Sequence, residues 1–207
     1  HWMVHSFPTR RSSDLISKFA AAATMEALGP DRVAASIAGD LRVGVIFTLT
    51  NGCVNYSNRF FGEVLADPSV ASPILFPETV FNAPSSHLSA MIGGHSPNDT
   101  LVTDGTGFFT GIDLAAEWIL RGDVDGCVIV SSEEIDWLSA EALLHHSRSY
   151  LPAEGAGAIY LEKSTAGPLL LRLPDPVSFS TLPRSEAAVR IREIGRASCR
   201  ERVYHPV

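Results

Sequence analysis

The segment whose residue types and spacing invite chemistry is Thr103-Asp104-Gly105-Thr106-Gly107-Phe108-Phe109. An apolar strand, Leu101–Thr103, runs into it and a helix runs out. A turn that delivers a strand into a helix N-terminus presents backbone N–H groups and a partial positive charge, so it suits an anion, a phosphate or a thiolate nucleophile. The side chains do not supply the thiolate: between Thr103 and Phe109 there is no Cys, Ser, Lys or His, and only Asp104 and Thr106 are polar. Thr106 is a poor substitute, because a hydroxyl needs a positioned base and Asp104 is the one candidate nearby. Gly105-Thr106-Gly107-x-x-x-Gly111 after a strand also suggests a dinucleotide-binding turn, the reading of an α/β oxidoreductase. That alternative departs from the G-x-G-x-x-G spacing, and Phe108 and Phe109 would crowd a pyrophosphate. Its acidic partner, Glu133, lies about 28 residues past Gly105 where about 20 is usual.

The other reactive side chains read as structural. Cys53 opens a helix, where a thiol pKa can fall, but nothing cationic lies beside it in sequence, so it is expected to pack behind a strand. His87 and His95 have no carboxylate or Cys at ligand spacing and are expected to be surface or capping residues; no metal and no cofactor is expected. Glu133-Glu134 are expected to cap a strand end, and His145-His146 to close a helix whose dipole favours cations there.

The elements that must position the turn follow from periodicity. Phe108, Ile112, Ala115, Ala116 and Ile119 mark one face of a helix, with Asp113, Glu117 and Arg121 opposite and Gly122 as its stop. Gly126–Ser131 is a continuous apolar run, a strand covered on both faces, so the unit reads as βαβ with a right-handed crossover. Upstream, Ile16, Phe19, Ala20, Ala23 and Ala27 share a helical face ended by Gly29-Pro30, and a linker leads through Asp40 into the buried strand Arg42–Thr50. Val54–Leu65 reads as a weaker helix stopped near Asp67-Pro68. Ser72–Pro77 reads as extended, and Glu78–Asn82 and Ser85–Ile92 as helical pieces broken by Ala83-Pro84. Ile135–Leu144 is a further helix, Glu154–Glu162 a glycine-hinged strand, and Leu169–Leu173 its expected partner strand.

Composition narrows the function classes. With 45% apolar and 19% charged residues in 207, the chain is long enough for one well-buried globular domain. The formal charge of −7 argues against a nucleic-acid surface. No apolar run approaches the ~20 residues of a membrane span, and no signal-peptide core is visible, so no membrane partner is expected. Cys53, Cys127 and Cys199 are too few and scattered for a disulfide framework, which fits a reducing cytoplasm. The ends differ from the body: His1–Leu15 and Glu193–Val207 are basic, follow neither hydrophobic period and resemble translated sequencing-adapter sequence. Residues 16–192 are therefore expected to form the domain, cut from a longer reading frame at both sides.

Taken in order, these segments resemble the N-terminal half of a β-ketoacyl synthase of the thiolase superfamily, over nearly all of Ile16–Leu173. The resemblance is carried by Arg42-Val43-Gly44-Val45, Ser72-Pro73, Phe76-Pro77 and Asn82. It continues through the strand, elbow and helix of Thr103 to Gly122, Asp125, Ser132-Glu133-Glu134 and Glu154-Gly155-Ala156-Gly157-Ala158. It implies an α/β fold, a mixed sheet with helices on both faces, whose C-terminal half is missing. It also places the acyl-accepting cysteine of the family at Gly105, in an elbow made of Thr103, Asp104, Gly105, Thr106 and Gly107, with Phe108 and Phe109 beside the substrate. Two histidines of the family's C-terminal half are absent from this chain. The resemblance therefore implies a ketosynthase-like protein of fatty-acid or polyketide condensation without its nucleophile, a non-condensing member of a heterodimer. Its implied partners are an acyl carrier protein or acyl thioester, and a second subunit, either a copy of itself or a catalytic ketosynthase, paired along Leu101–Thr103. A purely structural subunit that carries no ligand is the third reading.

Overall fold

The computed structural model describes residues 15–146, 148–149 and 151–163, with Ser185, Glu186 and Val189. The unit that carries the elbow ends at Thr165; a second unit begins at Ala166, of which the three last-named residues are the described part, all helical. The expected strand Leu169–Leu173 lies outside the described residues.

Four strands form one mixed sheet: β1 (Val43–Leu49), β2 (Asn98–Val102), β3 (Gly126–Glu133) and β4 (Gly155–Glu162), in the order β2-β1-β3-β4. β1 runs parallel to both β2 (Val45 opposite Asn98) and β3 (Val43 opposite Gly126), whereas β4 is antiparallel to β3 (Glu133 opposite Gly155). Every residue of β1 is buried, as its unbroken apolar run requires. Its alternate side chains serve two layers. Val43, Val45, Phe47 and Leu49 join Val128 and Val130 in a core with α1 (Leu15–Ala38) and α3 (Ala83–Met91). Gly44, Ile46 and Thr48 face α4 (Gly107–Arg121) on the other side, where Gly111 lets the helix come close to Ile46, Thr48 and Ile129. Helices therefore cover both faces. α2 (Val54–Ala66) and α5 (Trp137–His146) bury none of their residues.

Several local readings are corrected. The strands flanking α4 are not neighbours: β1 lies between β2 and β3, so the crossover skips one strand. The buried side of α4 is centred on Gly107, Gly111, Ile112, Ala115 and Trp118, while Phe108, Ala116 and Ile119 are only half-buried. Periodicity misses Trp118 because Gly107 and Gly111, invisible to an apolar count, fill the first positions of its stripe. Gly29 (φ 72°, ψ 164°) does break α1, but the chain continues helical to Ala38 instead of entering a linker. Pro30 sits where a first helical turn accepts it, and Val33 and Ser36, one turn apart, are buried. Ser72–Pro77 is not extended: it forms a turn and a 3₁₀ segment, Phe76–Glu78, and no helix spans Glu78–Asn82. Ala83-Pro84 opens α3 and does not break it, again with proline in the first turn. By contrast Glu117 and Arg121 pair at 2.9 Å across one turn, and Gly122 (φ 79°) ends α4 in the left-handed conformation, both as the sequence indicates.

Candidate functional site

The elbow occupies the carboxyl end of edge strand β2. Its first residue is tied to the sheet, since the Thr103 N–H donates to the Leu49 carbonyl at 3.0 Å. The rest closes on itself. The Thr103 hydroxyl donates to the Asp104 carbonyl (3.0 Å), which also accepts the Gly107 N–H (3.0 Å). The Asp104 carboxylate accepts both the N–H (2.9 Å) and the hydroxyl (2.6 Å) of Thr106, the residue that precedes α4. Those two hydrogen bonds, the hydroxyl's first, hold the Asp104 carboxyl below the usual carboxylate range.

This geometry decides what the turn can do. The positive end of α4 is met by the chain's own carboxylate, so an incoming anion finds one N–H already used and a fixed negative charge beside it. A depressed carboxyl is also a weak base, so the Asp104–Thr106 contact closes the turn ahead of α4 and does not activate a hydroxyl. The side chains around it are exposed (Asp104, Thr106) or apolar: Phe109 is exposed, Phe108 half-buried, and their rings meet edge to face at 6.4 Å. Such a surface can receive an apolar chain; a pyrophosphate is disfavoured by both charge and bulk.

The two elbow glycines have different reasons. A Cβ on Gly107 would lie 1.7 Å from the Thr103 hydroxyl oxygen, so the close approach of strand end and helix start demands glycine there. Gly105 has no positive φ, and a Cβ on it would meet nothing within 4 Å. Glycine at 105 therefore relieves no backbone strain: this elbow has no left-handed residue, and the absent side chain is not a conformational necessity.

The remaining candidates fall elsewhere. His87 is half-buried: its Nε2 lies 2.9 Å from an oxygen of the buried Glu78, a carboxylate nine positions earlier brought close by the turn before α3. His95 is exposed. Cys53 is buried behind β1 with its thiol 3.7 Å from the Val80 carbonyl, and burial pushes the Cys127 thiol up to about 12. No group of three His, Cys, Asp or Glu suited to a metal occurs among the described residues.

Two constellations escape a sequence reading although their residues stand out in it. Arg42 binds the Asp125 carboxylate through Nη2 (2.6 Å) and Nε (3.2 Å) and donates through Nη1 to the Gly122 and Asp123 carbonyls at the end of α4. The register of β1 on β3, Val43 opposite Gly126, makes them adjacent, and only the strand pairing reveals it. The second is the end of β3, where three consecutive residues reach four places. Ser132 donates to the Ile16 and Gly155 carbonyls, Glu133 accepts the Thr50 and Asn51 N–H groups, and the fully buried Glu134 accepts the N–H groups of Ile16 and Asn55 at the starts of α1 and α2. The two neighbouring carboxylates, the last residue of β3 and the one after it, reach different partners.

No protein-family model matches the chain. No curated protein matches it. Solved structures do. The ishigamide ketosynthase/chain length factor superposes with a TM-score of 0.65 at 18% identity, over 80% of this chain and 48% of that one. A ketosynthase in complex with its chain length factor from Xenorhabdus doucetiae gives 0.57 at 17% identity, over 78% and 63%. A type II polyketide acyl-carrier protein in complex with its ketosynthase bound to the hexaketide gives 0.67 at 20% identity, over 78% and 49%. The chain thus spans from about half to under two thirds of the length of these structures. Over that span it has the thiolase-like fold of the ketosynthases, and the dinucleotide-binding alternative is not favoured.

Proposed function

We propose that this chain belongs to a non-condensing, ketosynthase-like subunit that assists acyl-thioester condensation of the fatty-acid or polyketide type. The observation that carries the reading is Gly105: at the turn where the resemblance puts the acyl-accepting sulfur there is no side chain, although backbone and space would allow one. Nearby structures that include chain length factors support it. In this reading Phe108 and Phe109 border the acyl chain, an acyl carrier protein or acyl thioester delivers it, and the attacking cysteine belongs to a catalytic ketosynthase. That partner pairs along β2, an edge strand whose Val102 is exposed. A second copy of this chain is the competing occupant of the same edge. The setting is cytoplasmic, and among the described residues no helix is long and apolar enough to cross a membrane.

Intact-protein mass spectrometry tests this. The protein is incubated with a malonyl or fatty acyl thioester, alone and with a cysteine-bearing ketosynthase. The acyl mass is expected on the ketosynthase and not on this chain, with product formed only when both are present. An acyl adduct on this chain overturns the reading.

A further inference from the structure

We propose that Glu133 is a positioning residue that holds the elbow in register with the sheet. It is the last residue of β3, half-buried, and its carboxylate accepts the N–H groups of Thr50 and Asn51, the two residues that come after β1. The Leu49 carbonyl, one residue before that grip, accepts the Thr103 N–H at 3.0 Å. Glu133 thus anchors the end of β1, and the end of β1 anchors the first residue of the elbow. The ladder of β1 on β2 ends one residue earlier, at Leu49 opposite Val102, so this bond carries the pairing into the elbow, while the Thr103 hydroxyl turns back to the Asp104 carbonyl.

The neighbouring Glu134 separates this role from general support. Fully buried, it caps the first turns of α1 and α2, so its loss weakens the whole unit. Glu133 grips a chain end at the carboxyl edge of the parallel strands, and its loss is local. Where the subunit shapes an acyl pocket, which rests on the function proposed above, Glu133 fixes where Phe108 and Phe109 stand.

Hydrogen exchange on the full chain tests the positioning role without any partner or substrate. In Glu133→Ala, the amides of Thr50, Asn51 and Thr103 are expected to exchange about tenfold faster, while those of Ile112–Ile119 in α4 keep the parent rate. Glu133→Gln, which keeps one acceptor oxygen, is expected to fall between and serves where the alanine variant does not fold. Unchanged exchange at Thr103, or an equal rise throughout α4, overturns the proposal. Product-length analysis with a ketosynthase is a separate readout that bears on the proposed function: exchange that changes with product lengths that do not leaves Glu133 its positioning role and counts against the acyl-pocket reading.

Discussion

Gly105 and Gly107 are two residues apart in one turn, yet the same substitution is expected to move stability in opposite directions. Alanine at 105 adds a methyl group that meets nothing within 4 Å on a backbone without positive φ. It narrows the unfolded ensemble without native strain, a gain of about 0.4–1 kcal/mol. Alanine at 107 puts its Cβ 1.7 Å from the Thr103 hydroxyl oxygen and 2.9 Å from the Thr103 Cβ, so rotating the hydroxyl away does not relieve the clash. Either the strand end or the helix start must shift, at a cost of about 1–3 kcal/mol for overpacking. The unfolded-state gain is common to both, so the two variants should differ by roughly 1–3 kcal/mol, about 2–12 °C in Tm at 2–4 °C per kcal/mol for a chain of this size. Urea unfolding at constant m-value measures it. Equal destabilisation by both variants, or a neutral Gly107→Ala, would refute the claim that only one of these glycines is structural.

Four further outcomes rest on contacts of the same kind. Trp118→Ala empties the space between α4 and β1, where Trp118 abuts the Gly44 position, and should cost about 3–5 kcal/mol in urea unfolding. Asp104 and Asp125 have carboxyls held low in the folded state, by the Thr106 hydroxyl and by Arg42 respectively, so each contributes stability above its unfolded pKa that is lost as pH falls through the lower folded one. Melting temperature should accordingly fall with acidification below about pH 4, and the Asp104→Asn and Asp125→Asn variants should show a flatter acid limb. Cys127 should resist alkylation at pH 8 until the protein is unfolded, as peptide mapping would show; rapid native labelling would contradict its burial. Glu134→Gln should lower Tm far more than Glu133→Gln, since it strips a buried acceptor from two helix starts.

The layers are legible in the sequence where a strand or helix follows one clear period. The unbroken apolar runs of β1 and β3 can belong only to interior strands, and the Glu117–Arg121 pair can face only solvent. Order within the sheet is not legible. Nothing local to residues 98–133 says that β1 inserts between β2 and β3, because that choice depends on pairings across about fifty and about eighty residues. The turns mislead for a different reason: Pro30 and Pro84 look like breaks, but proline ends the element before it and is accepted in the first turn of the next one, so the same residue signals both. At the elbow, the sequence shows that position 105 carries no side chain, and the geometry alone reveals that the Asp104 carboxylate takes the Thr106 N–H just ahead of α4.

Under the function proposed above, the position of Asp104 bears on whether the lack of a cysteine at 105 is the whole difference from a condensing site. A thiolate is favoured at a helix N-terminus because the dipole and free N–H groups stabilise negative charge. Here the Asp104 carboxylate takes the Thr106 N–H and places its own charge one residue from position 105. Gly105→Cys would fit the space, but its thiol would titrate against a fixed anion, so its pKa is not expected to drop below that of an ordinary cysteine near 8.5. The double variant with Asp104→Asn should titrate lower than Gly105→Cys alone, as thiolate absorbance against pH would measure. If the single variant already has a thiol pKa well below 8, the carboxylate does not set the electrostatics of the turn, and the elbow is not a binding surface stripped of a nucleophile's environment.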